Sequence, residues 1–150
     1  MVSQDVRCVV GAGLVPVAVT WIDSTYLTPA LAHVAGRGSR WKTPAGVHVG
    51  RTLGELESIA GAPVQFGGFG WDYGGMTSWS EQTPHGRGQT GIQLVPDSAS
   101  YARARNDGRY HEIVGERTVS SNHPLIRAMT IHVDRIFIRW EEASRRASLS

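Results

Sequence analysis

Between Phe66 and Trp79 the chain gathers the side chains best suited to holding a ligand. Phe66, Phe69, Trp71, Tyr73 and Trp79 are interspersed with Gly67, Gly68, Gly70, Gly74 and Gly75, and Asp72 lies among them. Aromatic rings supply large apolar contact area, and Tyr and Trp add a polar edge that can meet a partner. One reading makes Phe69, Trp71, Asp72, Tyr73 and Trp79 a binding platform for a partner's side chain, a peptide or a sugar, with Asp72 orienting polar groups. The other folds the rings back onto a sheet, with glycine supplying positive φ and Asp72 tying the turn to backbone N–H groups. A phosphate loop is excluded, because Gly68, Gly70 and Gly74 miss the dinucleotide spacing by one residue and no helix is expected after them.

The remaining reactive side chains do not assemble into a catalytic pattern. His132 and Asp134 share one face of an expected strand, a spacing that suits a metal or a His–carboxylate pair, but spacing places no third ligand beside them. His33, His48, His85, His111 and His123 are scattered. No G-x-S-x-G elbow is present, and Cys8 lies in an apolar strand-like run that would raise its pKa. Glu55 and Glu57 point in different directions on a helix, so they are not a hydrolytic carboxylate pair. The sequence therefore predicts no catalytic residue, metal site or cofactor.

A chain of 150 residues with a formal charge of +2 fits a single globular domain over 1–150, with 141–150 as a frayed tail. Lys42 is the sole lysine, so the basic character comes from arginine. Arg103, Arg105, Arg109 and Arg117 are separated by acids and polar residues rather than interleaved with aromatics, which argues against a nucleic-acid surface. A single cysteine cannot close an intramolecular disulfide. No apolar run approaches the length of a membrane span. The apolar stretch 8–19 is preceded by Asp5 and broken by Pro16, which predicts a strand hairpin (7–10 and 15–22) rather than a signal peptide; an exported protein would already have lost its leader.

Elements able to position the aromatic segment follow from periodicity. Thr52 and Glu55 form a capping box ahead of Leu53, Leu56 and Ile59, and Gly61 supplies the stop, predicting an amphipathic helix over about 52–61. Strands are expected at 64–66, 77–79 and 90–95, with weaker ones at 109–114 and 116–119. The stretch 98–105 lacks an apolar stripe and reads as either a helical turn or a mobile insertion, and 30–34 is ambiguous between helix and strand. Ser121, Asn122, His123 and Pro124 predict a short capped turn through 128. The strongest strand covers 130–140, with a shift of apolar phase that predicts a bulge at Asp134 and Arg135. Together these give an α+β fold: an antiparallel sheet with one main helix on a face and glycine-rich turns. The expected core is Val17, Val19, Trp21, Leu53, Leu56, Ile59, Ile92, Leu94, Ile136 and Ile138.

Residues 39–46 (SRWKTPAG), 49–57 (VGRTLGELE) and 61–63 (GAP), followed by 68–79 (GFGWDYGGMTSW), resemble a pattern found in small exported bacterial domains of unassigned function. Residues 120–124 agree more loosely. The helix-start motif is also similar to that of small outer-membrane-assembly lipoproteins and of the β-lactamase inhibitor protein. Those folds set helical turns against an antiparallel sheet and bind other proteins. Cys8 is followed by valine, which departs from a lipid-attachment motif. The resemblance implies a periplasmic or secreted, non-catalytic module that contacts a protein partner. A carbohydrate or small-molecule binding domain, even a weak hydrolase using Asp72 and His132, is the alternative.

Overall fold

Short-range chemistry decides where the helices begin. The Thr52 side chain accepts from the Glu55 amide at 3.2 Å, and Gly61 closes the helix in a left-handed conformation, so α1 runs Leu53–Ala60. A cap of this kind contributes about 1 kcal/mol. The Glu55 carboxylate pairs with Arg51, which immediately precedes the capping Thr52. Asp97 starts α2 (Ser98–Arg105) by accepting from the Ser100 amide at 2.7 Å, and His123 starts α3 (Pro124–Arg127) through its Nδ1. These join antiparallel sheets, and the fold is α+β.

The computed structural model describes residues 6–9, 17–21, 29–36, 41–82 and 88–140. Its strands are β1 (Val6–Val9), β2 (Val17–Trp21), β3 (Pro29–Ala35), β4 (Gln65–Gly67), β5 (Glu81–Gln82), β6 (Gly88–Pro96), β7 (Thr118–Ser120) and β8 (Ile131–Trp140). One sheet has the order β1-β2-β3-β8-β6-β5, and β4 pairs with β7 in a second. The chain divides into two compact units, the first drawing on 1–49, 80–91 and 135–150 and the second on 50–79 and 92–134. Strands β6 and β8 contribute residues to both.

In the first unit β1 pairs with β2, β2 with β3, and β3 with the last half of β8, from Ala35 opposite Arg135 to Leu31 opposite Arg139. The predicted hairpin strands are therefore present; the turn between them, the Cys8 and Val17 side chains and the predicted tail 141–150 lie outside what is described. Val19, Ala32, Val34, Val47, Val49 and Ile136 are buried. The segment 30–34, ambiguous by pattern, is strand because it fills the place between β2 and β8.

The second unit holds α1, α2, α3, the β4–β7 pair and the first half of β8. Val133 exchanges backbone hydrogen bonds with Gly50 and Arg51, whereas residues from Arg135 onward pair with β3. Burial along β8 shifts phase at the same place, from Ile131 and Val133 to Ile136. The phase shift from which a bulge at Asp134 and Arg135 is expected thus coincides with a change of strand partner, and no bulge is seen there among the described residues. The pairing of β3 with β8 keeps a regular register from Arg135 onward.

Several expectations are corrected. The expected strand at 77–79 is absent: Thr77 makes only an isolated bridge, to Phe66. Trp21 and Ile138, expected in the core, are half-buried. Residues 109–114 hold a 3-10 turn, Tyr110–Glu112, rather than a strand. Ile59 is 37% exposed, not core. Successive steps of three residues rotate backwards around the helix, so Ile59 falls off the stripe that buries Leu53 and Leu56.

Candidate functional site

The aromatic segment leaves β4 and is pinned from several sides. Gly67 N–H donates to Met76 O at 2.8 Å and Gly75 N–H to Gly67 O at 2.9 Å, which closes the turn at its base. Phe69 and Gly115 tie the segment laterally: Phe69 N–H donates to Ile113 O and Gly115 N–H to Phe69 O, each at 2.9 Å. On the other side Leu94 N–H donates to Gly75 O at 2.8 Å, and the Gln93 side-chain amide donates to Gly74 O at 2.9 Å. The glycines are required by space. A Cβ at Gly68 would stand 2.6 Å from Gly115 O, and one at Gly75 2.0 Å from Leu94 O.

This scaffold separates the five predicted residues. Phe69 is 4% exposed and packs against Phe66, centroids 5.5 Å apart, and edge-on against Tyr101 at 6.3 Å. It belongs to the core. Trp71 and Tyr73 are 38% and 65% exposed, and their rings meet edge to face with centroids 5.3 Å apart. The Trp71 indole N–H donates to Gly68 O at 2.9 Å, which holds the ring against its own loop. Asp72 is exposed, and among the described residues its carboxylate has no hydrogen-bond or ion-pair partner. Trp79 follows the turn and is half-buried, its amide donating to Thr77 Oγ1 at 3.2 Å. Phe69 thus folds inward, as the structural reading expects, whereas Trp71, Asp72 and Tyr73 are exposed.

Sequence reasoning missed Tyr101 and Tyr110, which stand behind the turn. Their hydroxyls are 2.7 Å apart, and Tyr101 Oη is the nearest atom to a Cβ built at Gly70. Nothing in the local sequence pattern marks them, because α2 has no apolar stripe. Burial, reinforced by the hydrogen bond to Tyr110, pushes the Tyr101 phenol up to about 12. The folded protein therefore keeps a proton that the unfolded chain loses above about pH 10, so this contribution is complete below about pH 10 and is lost as pH rises through about 12. Urea midpoints measured across that window should fall for the parent protein and fall less steeply for Tyr101→Phe. An identical slope in both would remove Tyr101 as the cause.

His132 lies at the start of β8, where its backbone bridges Thr52. It contributes to holding the Asp97 pKa low, after the hydrogen bonds from Ser100. Among the described residues no group of three or more His, Cys, Asp or Glu side chains could hold a metal. The second unit also carries a cleft of about 310 Å³, lined by Leu53, Glu57, Ser121, Ile126, Arg127 and Ile131 among others; Trp71, Asp72, Tyr73 and His132 do not line it. Arg127 stands over this cleft, 3.6 Å from Glu57 and 2.6 Å from Asn122 Oδ1.

No family model matches the chain, and neither a curated protein nor a solved structure shows significant similarity to it. No helix among the described residues is long and apolar enough to cross a membrane. The functional argument accordingly stands on the turn itself.

Proposed function

We propose that this chain is a non-catalytic module of the bacterial cell envelope or secreted fraction that binds a protein partner through the turn bearing Trp71, Asp72 and Tyr73. The observation that carries the reading is the pairing of two exposed large aromatics with a turn fixed by main-chain hydrogen bonds. Large rings held in place lose little freedom on binding, which is why such residues dominate contact energies in protein interfaces. The envelope placement rests on the resemblance of residues 39–63 and 68–79 to exported bacterial domains. The sugar-binding alternative is less well supported, because the cleft in this unit is not lined by the aromatic pair.

The test is capture from envelope and culture-supernatant extracts by the parent protein and by a Trp71→Ala/Tyr73→Ala double variant, both checked for folding by circular dichroism. A partner held by the parent and lost by the folded double variant is the expected result. Identical capture profiles would overturn the reading.

A further inference from the structure

We propose that the group seated on this turn is a cationic side chain, a lysine or arginine presented by the partner protein, with Trp71 and Tyr73 as two walls and the Asp72 carboxylate as counter-charge. The inference rests on the reading of the turn as a partner-binding face and adds the chemistry of what it holds. Three observations carry it.

The first is the ring geometry. Trp71 and Tyr73 meet at 71° with centroids 5.3 Å apart, so they form a corner rather than a flat platform. A sugar ring or a planar group stacks on a flat face. A compact positive charge instead favours a corner, where it can approach within about 6 Å of both ring centroids and meet the negative π-faces.

The second is charge. Asp72, between the two rings in sequence, has no hydrogen-bond or ion-pair partner among the described residues, although the chain has 15 Lys and Arg against 13 Asp and Glu. Several acids of the same unit are paired, Glu55 with Arg51, Glu57 with Arg127, and Asp107 with Arg109, whereas the Asp72 carboxylate is left for an incoming group. An exposed carboxylate on the residue that links the two ring-bearing positions is complementary to an incoming cation and opposes an anion.

The third is preorganisation. The Trp71 indole N–H is engaged by Gly68 O, and the Tyr73 carbonyl accepts from the Met76 amide at 3.2 Å. The Trp71 wall and the backbone that carries Tyr73 are therefore set before a partner arrives, which lowers the ordering cost of binding.

The probe is a short capped peptide holding one lysine, with an arginine analogue and an uncharged norleucine analogue as comparators. Each is titrated into the full chain while the Trp71 indole N–H resonance is followed by NMR, assigned from its loss in Trp71→Phe. The lysine and arginine peptides should shift that resonance in a saturable, salt-sensitive way, and norleucine should not. Asp72→Asn should weaken the lysine peptide about three- to tenfold while leaving the spectrum otherwise folded. Equal shifts from norleucine, an unchanged affinity in Asp72→Asn, or no shift with any peptide would each overturn the cationic occupant. The two proposals fail separately. Loss of capture in the double variant without any peptide response leaves a binding face with a different occupant. A peptide response with unaltered capture leaves a cation site and removes the protein-partner reading.

Discussion

Gly75→Ala should destabilise the protein by at least about 3 kcal/mol, the range reserved for substitutions that force backbone to move. Two independent costs combine. Gly75 has φ of +81°, a region that L side chains occupy with strain of about 1–3 kcal/mol. The added Cβ would also lie 2.0 Å from Leu94 O and 2.9 Å from the Leu94 carbonyl carbon. Those atoms are main chain and cannot rotate away. Relieving the clash pulls Gly75 from Leu94, breaking the 2.8 Å hydrogen bond that joins the turn to β6. Gly115→Ala is the control, since its φ of +84° carries similar strain while its Cβ would meet nothing within 4 Å. Urea unfolding should place Gly115→Ala about 1–3 kcal/mol below the parent, with Gly75→Ala well beyond it. Equal losses in the two would mean that the close approach to Leu94 does not matter.

Phe69→Ala should cost about 3–5 kcal/mol, as expected for emptying a buried aromatic position. Phe69 is in ring contact with Phe66 and Tyr101, and its backbone bonds reach Ile113 and Gly115. Its truncation therefore leaves a void where the turn meets the core. Tyr73→Ala, at a residue 65% exposed, should stay within about 0.5 kcal/mol of the parent. The contrast divides one sequence motif into a structural and a contacting half. If Phe69→Ala were as stable as the parent, the ring would not be holding the turn, and its burial would have no energetic meaning. Binding data from Phe69 variants should not be read as contact energies, since partial unfolding alone would abolish capture.

What could be read beforehand follows from the range of the interactions involved. Helix α1 was legible because its cap and stop lie within ten residues of each other in the pattern Thr52, Glu55, Gly61. Strand β8 was legible from its own run of Ile, Val, Phe and Trp, even to the change of phase that accompanies its change of partner. The strand at 90–95 appears as the centre of the longer β6. Strand β3 was not legible, because Pro29–Ala35 is made strand by partners on both sides that are remote in sequence. Helix α2 stayed open between a helical turn and an insertion for the opposite reason: only Ser100 and Ala104 are buried, and its start depends on Asp97 and Ser100 rather than on an apolar stripe. Ser100 also accepts from the Thr130 amide at 3.2 Å, a contact that no local pattern announces. At the candidate site, composition picked out the segment but could not assign inward and outward rings. That assignment depends on Ile113, Gly115 and Leu94, which reach the turn from three other parts of the chain.

The interleaving of the two units bears on how a ribosome must deliver this protein. Neither unit is a continuous stretch of chain, since the path leaves one and returns to it more than once. Strand β3 receives its second partner only when Arg135–Arg139 has been made, about a hundred residues later. Until then β3 offers an open edge, the kind of surface that recruits other chains. Completion of the first unit therefore waits for β8, and synthesis stalled before it would leave β3 with an exposed, aggregation-prone edge.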